Sequence, residues 1–254
     1  MTRLRPRARN DRQLGAGGWI RRARPLLGTL VEIGARGAND ASGADAVGAA
    51  FDRIRAIEAK LSRFVAHSVI GRFNGAGAGA SIAVDADAAH VLAAAQWLQR
   101  ASAGLFDISL GSGPTGWRCT AGTLHKFADG VALDLGGIGK GYAVDAAIEA
   151  LREEGAESGW VNAGGDLRVF GPLSLPIDLR DEAQGGVRRF ATLGDGAFAT
   201  SRLAPQDCAA QRERHASVAA PTCLWADALT KVVIASGDSL HPLVARLRAR
   251  AWLH

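Results

Sequence analysis

Cysteine is scarce in this chain. Cys119, Cys208 and Cys223 are odd in number and far apart, which excludes a disulfide framework, and no C-x-x-C marks a zinc knuckle. No apolar run reaches the ~18 residues of a membrane span. Nor does an apolar stretch follow the basic start, as a secretory signal requires, and no early cysteine offers a lipid anchor. These absences point to a cytoplasmic protein with no membrane span.

A basic surplus is also missing from most of the sequence. The formal net charge is +5 and the pI near 9.6, but eight of the 30 basic residues (Arg3, Arg5, Arg7, Arg9, Arg12, Arg21, Arg22 and Arg24) lie in the first 24, opposed only by Asp11. From residue 25 onward, 22 basic residues face 24 acidic ones, so nucleic acid is not the expected partner. Residues 1–23 read as a basic, disordered tail, followed by one domain over 24–254.

Glycine, by contrast, is abundant: 32 in 254 residues, nearly twice the usual ~7%, which implies many tight turns or backbone brought close to a ligand. Pro25 to Ile33 is β-branched and apolar and predicts a first strand. Val47, Phe51, Ile54, Ile57, Leu61 and Phe64 recur at spacings of three and four and predict an amphipathic helix. Residues 75–81 form a loop. Asp85 or Asp87 then caps a second helix through Val91, Leu92, Ala95 and Leu98 up to Gly104. Residues 131–135 (VALDL) are strand-like, and GGIGKG (136–141) turns into a third helix carrying Val144, Ala147, Ile148 and Leu151. Residues 160–171 predict two short strands around a Gly-Gly-Asp turn. Residues 172–215 hold short strand-like pieces, 226–235 suit a helix start or a buried strand, and 239–253 are basic and amphipathic. Without a regular βαβ period, the expected class is α+β.

Only four of the 30 basic residues are lysines, and one, Lys140, stands between two glycines. A compact ammonium there suits an anion held by glycine N–H groups and a helix N-terminus. The spacing matches neither G-x-x-x-x-G-K-[ST] nor G-x-G-x-x-G, so a plain strand-to-helix turn with a solvated lysine is the alternative.

Around that turn the sequence runs RPLLGTLVEI (24–33), E-x-x-L-S-R-F with Ser68, Ile70 and Asn74, G-x-F-D-I-S (104–109), LDLGGIGKGYAVD (133–145), VNAGGDLRVFG (161–171), ATS (199–201) and ADAL (226–229). This ordered series resembles the FAD:protein FMN transferase (ApbE) family over roughly residues 24–240. The resemblance implies a T-fold-like, two-lobed α+β architecture. It also implies transfer of FMN from FAD to a threonine or serine of an acceptor protein, with release of AMP.

By the same resemblance, flavin contacts fall at Phe106, Asp107, Ser109, Asp134, Gly136, Gly137, Lys140, Gly164, Gly165 and Thr200. Magnesium falls to Asp227, a residue four positions on, and a main-chain carbonyl at Ala143; His215 and Lys140 take the catalytic roles. Two departures stand out. Lys231 occupies the second ligand position, and an ammonium cannot ligate magnesium. The family's H-x-x-D-P-x-T-G hairpin is absent after His215, and Ser201-Arg202 replaces the usual Ser-Gly. A flavin-binding protein without transfer activity, or a hydrolase giving FMN and AMP, is the corresponding alternative.

Local readings compete at several positions. Asp227 and Lys231 at i,i+4 also suit an ordinary helix-surface pair. His215 suits a solvated loop, and Trp117, Trp160 and Trp225 suit the core. Asp107 and Asp166 lie in turns where aspartate serves local hydrogen bonding alone.

Overall fold

The computed structural model describes residues 18–180, 185–203 and 214–254; Cys208 and the arginines of residues 1–17 lie outside the described residues. The chain opens with a hairpin of β1 (Trp19–Leu26) and β2 (Thr29–Arg36), followed by α1 (Asp40–Leu61), α2 (Val69–Gly75), β3 (Ser81–Ala83) and α3 (Ala86–Ala101). Next come β4 (Trp117–Thr120), β5 (Thr123–Lys126), α4 (Gly139–Glu153), β6 (Ser158–Ala163), β7 (Asp166–Phe170), β8 (Leu175–Arg180) and β9 (Val187–Leu193). The last elements are β10 (Gly196–Leu203), β11 (Arg214–Ala220), α5 (Cys223–Ser236), α6 (Pro242–Arg246) and β12 (Arg250–Leu253).

An antiparallel sheet ordered β1-β2-β6-β7-β10-β11-β12 forms the centre, and α1, α4 and α5 pack on one face of it. Strand alternation sends Val31, Ile33, Val161, Ala163, Ala199, Ala216 and Val218 to that helical face. It sends Trp160, Leu167, Val169 and Phe198 to the other, where Ile177 and Leu179 of the β8–β9 hairpin cover them. A smaller sheet, β3-β5-β4, packs with α2 and α3. The fold is α+β.

The first helix forms as its spacing predicts. Asn39 and Ser42 make a reciprocal capping box at its start, and Ala46, Val47, Ala50, Phe51, Ile54, Ile57 and Leu61 are buried along one side. Phe64 does not extend that stripe, since the helix ends at Leu61 and the ring is 83% exposed. The second helix is capped by Asp85, whose side chain accepts from the Ala88 N–H, and it ends at Ala101.

Other expectations are corrected. The strand predicted over 25–33 is two strands, because Leu27 and Gly28 both take positive φ (55° and 69°) and form a two-residue hairpin turn. Sheet begins at Trp19, so residues 19–23 are paired with β2 rather than part of a tail. Residues 131–135 form no strand: Asn74 clasps the segment, accepting from the Leu133 N–H (2.7 Å) and donating to the Leu133 carbonyl (2.9 Å). Residues 226–235 are wholly helical, within α5, and 239–253 divides into α6 and β12. Among the described residues, no helix is long and apolar enough to cross a membrane.

Candidate active site

The glycine-rich turn is built from its own carboxylate inward. Asp134 donates its N–H to the Ile108 carbonyl (2.8 Å), while its Oδ1 accepts from the Gly136 N–H (2.7 Å) and its Oδ2 lies 3.3 Å from Arg63. Gly139 then donates to the Leu135 carbonyl (2.6 Å), closing the turn into α4. Gly137 lies against Phe106 and the stem of Lys231, so a Cβ there would sit 3.4–3.5 Å from both. Gly141 has no such room: a Cβ would come within 2.3 Å of the Cys223 carbonyl and 2.9 Å of the Asp227 Cβ. That glycine lets the start of α4 lie directly on the start of α5.

Two buried carboxylates and two lysines meet at this contact. Lys140 is ion-paired with Asp166 and stands 4.0 Å from Asp227 Oδ2, which also accepts from the Gly141 N–H (3.2 Å). Lys231 Nζ lies 2.5 Å from Asp227 Oδ1, 2.7 Å from Ser201 Oγ, 3.1 Å from Thr230 Oγ1 and 3.3 Å from the Asp227 carbonyl. The Asp166 and Asp227 side chains are almost wholly buried, at 3% and 0% exposed, whereas Lys140 remains 33% exposed.

Burial by itself would lower the proton affinity of Lys140, but Asp227 and Asp166 outweigh it and hold the ammonium above its ordinary range. Burial likewise works to raise Asp227, but Lys140 and Lys231, with hydrogen bonds from Lys231 and Gly141, hold it below the usual carboxylate range. Asp166 is raised, chiefly by burial and then by Asp227, against the pull of the two lysines. Burial, with the neighbouring carboxylates, pushes the Cys223 thiol well up and leaves it inert.

Lys140 faces a cleft of about 540 Å³. Its walls are the Leu27–Gly28 turn, the end of α1 from Arg55 with the segment that follows it to Val65, and residues 134–136 and 139–140. Glu58 of α1 accepts from the Leu27 N–H (3.0 Å) and so fixes the hairpin turn at the rim. Arg63 lies over the exposed Phe64 ring at 4.7 Å. The wall is apolar at Leu27, Ile57, Leu61, Phe64 and Leu135, with charge supplied by Lys140, by the Arg63–Asp134 pair and by Arg55 and Glu58.

Of the residues expected at the site, Lys140, Asp134, Gly136, Gly137 and Asp227 converge on the cleft or on the cluster behind it. Gly164 and Gly165 serve it indirectly, forming the turn between paired Ala163 and Asp166 with φ of 64° and 115°. That turn delivers Asp166 to Lys140. Asp107 does the local work that turns ask of aspartate, accepting from the Ser109 N–H (2.8 Å), the Ser109 hydroxyl (2.7 Å) and the Gly111 N–H (3.1 Å). Phe106 is buried behind Gly137 rather than presented to the cleft.

Thr200 and His215 are not brought to the cluster. Register pairs Thr200 with Ser217 and Arg202 with His215, and alternation places all four on the sheet face opposite α5. Thr200 Oγ1 accordingly lies 3.0 Å from Ser217 Oγ, which is 3.1 Å from His254 Nε2. The hydroxyls that reach Lys231 are those of Ser201, the next residue, and Thr230; the sequence reading selected neither for the site and gave Asp166 a local turn role.

The donor set does not fit the expected magnesium. Both Asp227 oxygens are engaged, the position four residues on is an ammonium with donors only, and Ala143 lies buried within α4. Among the described residues, no group of three His, Cys, Asp or Glu side chains is placed to hold a metal ion.

Asp145, in the same GKGYAVD block, has a structural role. Thr222, the N-cap of α5, makes no side-chain cap, and Asp145 replaces it by accepting from the Cys223 and Leu224 N–H groups, both at 2.8 Å, while ion-paired with Arg168 at 2.6 Å.

Comparison with known proteins agrees with this architecture. The model of the ApbE family matches residues 27–126 and 115–204. No curated protein matches the sequence. The flavin transferase ApbE from Vibrio cholerae has the same fold, with a TM-score of 0.80 at 19% identity over 93% of each chain. The apbe protein from Thermotoga maritima gives 0.78 at 21% identity, over 92% of this chain and 93% of that one. Pseudomonas stutzeri flavinyl transferase ApbE, in its apo form, gives 0.77 at 19% identity, over 92% and 90%.

Proposed function

The chain belongs to the ApbE family, and from that premise we propose that it is an FAD:protein FMN transferase, acting in the cytoplasm on a threonine or serine of an acceptor protein. The observation that carries this reading is Lys140, an ammonium partly open to a largely apolar cleft and backed by two buried carboxylates. A dinucleotide with aromatic ends and a charged centre has matching chemistry.

In the proposed step the acceptor hydroxyl oxygen bonds to the phosphorus on the FMN side of the pyrophosphate. The bond from that phosphorus to the bridging oxygen breaks, AMP leaves with the bridging oxygen, and the hydroxyl proton is released. Catalysis of this kind rests on position and charge. Lys140 meets the anionic oxygens as a point charge, and Asp166 acts as a positioning residue that keeps its ammonium aimed. Leu27, Ile57, Leu61 and Leu135 exclude water from the aromatic parts, and Glu58 holds the rim turn in place.

One observation favours the alternatives of flavin binding without transfer, or hydrolysis to FMN and AMP: His215 lies on the far face of the sheet from Lys140. The separating experiment incubates the protein with FAD and a threonine-bearing acceptor domain, beside its Thr→Ala copy. Flavin fluorescence is read in the denatured gel band, and AMP and FMN in the supernatant. A fluorescent threonine acceptor with equimolar AMP supports transfer. Free FMN with AMP means hydrolysis, and FAD binding without AMP means binding alone.

A further inference from the structure

The surroundings of Lys231 are those of a bound cation. Four oxygens lie within 3.3 Å of its Nζ: a carboxylate oxygen and the main-chain carbonyl of Asp227, and the hydroxyls of Ser201 and Thr230. Those hydroxyls are themselves fixed, with Thr230 Oγ1 2.6 Å from the Asp227 carbonyl and 2.8 Å from Ser201 Oγ. The lysine stem rests against Gly137 of the glycine-rich turn. Charge also closes locally, since Asp166 and Asp227 are matched by Lys140 and Lys231. A divalent ion added here would meet two ammonium groups and an engaged carboxylate.

We infer that Lys231 is the resident cation of this site, so that the chain holds the pyrophosphate of its substrate through two fixed ammonium groups and without a divalent metal. Lys140 meets the anion directly, and Lys231 neutralises Asp227 so that the buried carboxylate does not repel it. Two of the chain's four lysines are spent on this one cluster, where a compact ammonium fits an oxygen cage better than the broad fork of arginine. The inference rests on the flavin reading for the identity of the anion, but its metal half stands apart from it.

The test has two arms. In the first, FAD affinity is measured by fluorescence polarisation in chelator and in magnesium. Wild type is expected to bind equally in both, and Lys231→Thr to weaken in chelator by about tenfold, as Asp227 loses its counter-charge and repels the anion, and to recover with magnesium. Wild-type affinity that rises tenfold or more with magnesium overturns the inference and leaves the flavin reading intact.

The second arm uses no flavin: Mn2+ is titrated against folded wild type and Lys231→Thr and followed by electron paramagnetic resonance. Wild type is expected to leave the ion free and the variant to bind one equivalent. Binding by wild type that disappears in Asp227→Asn overturns the inference. FAD binding in neither buffer overturns the proposed function, and the Mn2+ arm then decides the metal question by itself. The wild-type measurements need no variant, so a Lys231→Thr chain that fails to fold does not shelter the inference.

Discussion

Replacing Lys140 by methionine keeps the stem and removes the charge, which leaves Asp166 without the cation it contacts. The Asp166 side chain is 3% exposed and its remaining neighbours include Asp227, a second anion. Breaking a fully buried pair in this way costs about 3–5 kcal/mol. Lys140 is itself one-third exposed, so water reaches part of the gap and about 2–3 kcal/mol is the appropriate expectation. For a chain of this length that loss lowers the melting temperature by roughly 4–12 °C.

The loss has a pH signature with a definite sign. Asp166 already has a raised proton affinity in the folded state, and losing Lys140 raises it further. A carboxyl whose folded pKa lies above its unfolded value destabilises increasingly as pH rises between the two. Wild type shares the lower part of that slope, so the deficit of Lys140→Met grows with pH between the folded pKa of Asp166 in wild type and its higher value in the variant, by up to about 1.4 kcal/mol per unit. Urea denaturation over a series of pH values from acid to mildly alkaline reads it directly. The double variant Lys140→Met/Asp166→Asn removes the uncompensated charge and is expected to recover most of the loss with little pH dependence. A single variant as stable as wild type, or a deficit flat in pH that the asparagine does not relieve, refutes the reasoning.

Four further outcomes follow from the same geometry. Lys140→Met is expected to weaken FAD binding by roughly 10–100-fold, read by fluorescence polarisation, and unchanged affinity would remove the ground for any flavin site in this cleft. Asp87 is held below the usual carboxylate range although burial opposes it, through hydrogen bonds from Arg53, Lys60 and Tyr142 that tie α3 to α1 and α4. Its stabilisation is present above the unfolded carboxyl pKa of about 3.9 and is lost as pH falls below it, so Asp87→Asn costs about 2–3 kcal/mol at neutral pH and the gap closes in acid, measured by denaturation midpoints across pH. Gly141→Ala forces the start of α4 off the Cys223 carbonyl and is expected to cost about 3 kcal/mol, visible as a lowered melting temperature. Asp145→Ala strips α5 of its borrowed cap and leaves Arg168 with Glu149, 4.0 Å away, for a loss of about 2 kcal/mol in urea.

Local chemistry explains which parts of this fold were legible in the sequence. The spacing of Val47 to Leu61 and the Asp85 cap are properties of one helix and its neighbours, and both elements formed as their residues predict. The β1–β2 hairpin was hidden because Leu27 holds a positive φ that leucine rarely takes, at a turn whose N–H is held by Glu58, 31 residues away. VALDL has the composition of a strand, yet Leu133 bonds the Asn74 side chain, 59 residues earlier, while Ala132 bonds Ser112 and Asp134 the Ile108 carbonyl, and no local pattern signals that clasp.

The site shows the same division more sharply. Asp107 and Asp166 both lie near glycines in the sequence, and the fold uses them differently. Asp107 spends its oxygens on residues two and four positions on, while Asp166 is carried by the Gly164–Gly165 turn to a lysine 26 positions away. Lys231 was legible because chemistry alone excludes an ammonium as a ligand, and four residues along a helix is a fixed geometry that puts it beside Asp227. Thr200 and Ser201 were not separable that way. A strand turns successive side chains to opposite faces, so choosing between neighbours requires the register, and the register depends on which residue of β11 each one faces. With Ser201 opposite Ala216, the serine reaches Lys231 and the threonine turns to Ser217 on the far side. In this register Ser201→Ala removes one of the four oxygens around Lys231 and weakens FAD binding, whereas Thr200→Val leaves FAD affinity unchanged. The reverse result would mean that β10 is shifted by one residue and that the threonine is the functional hydroxyl.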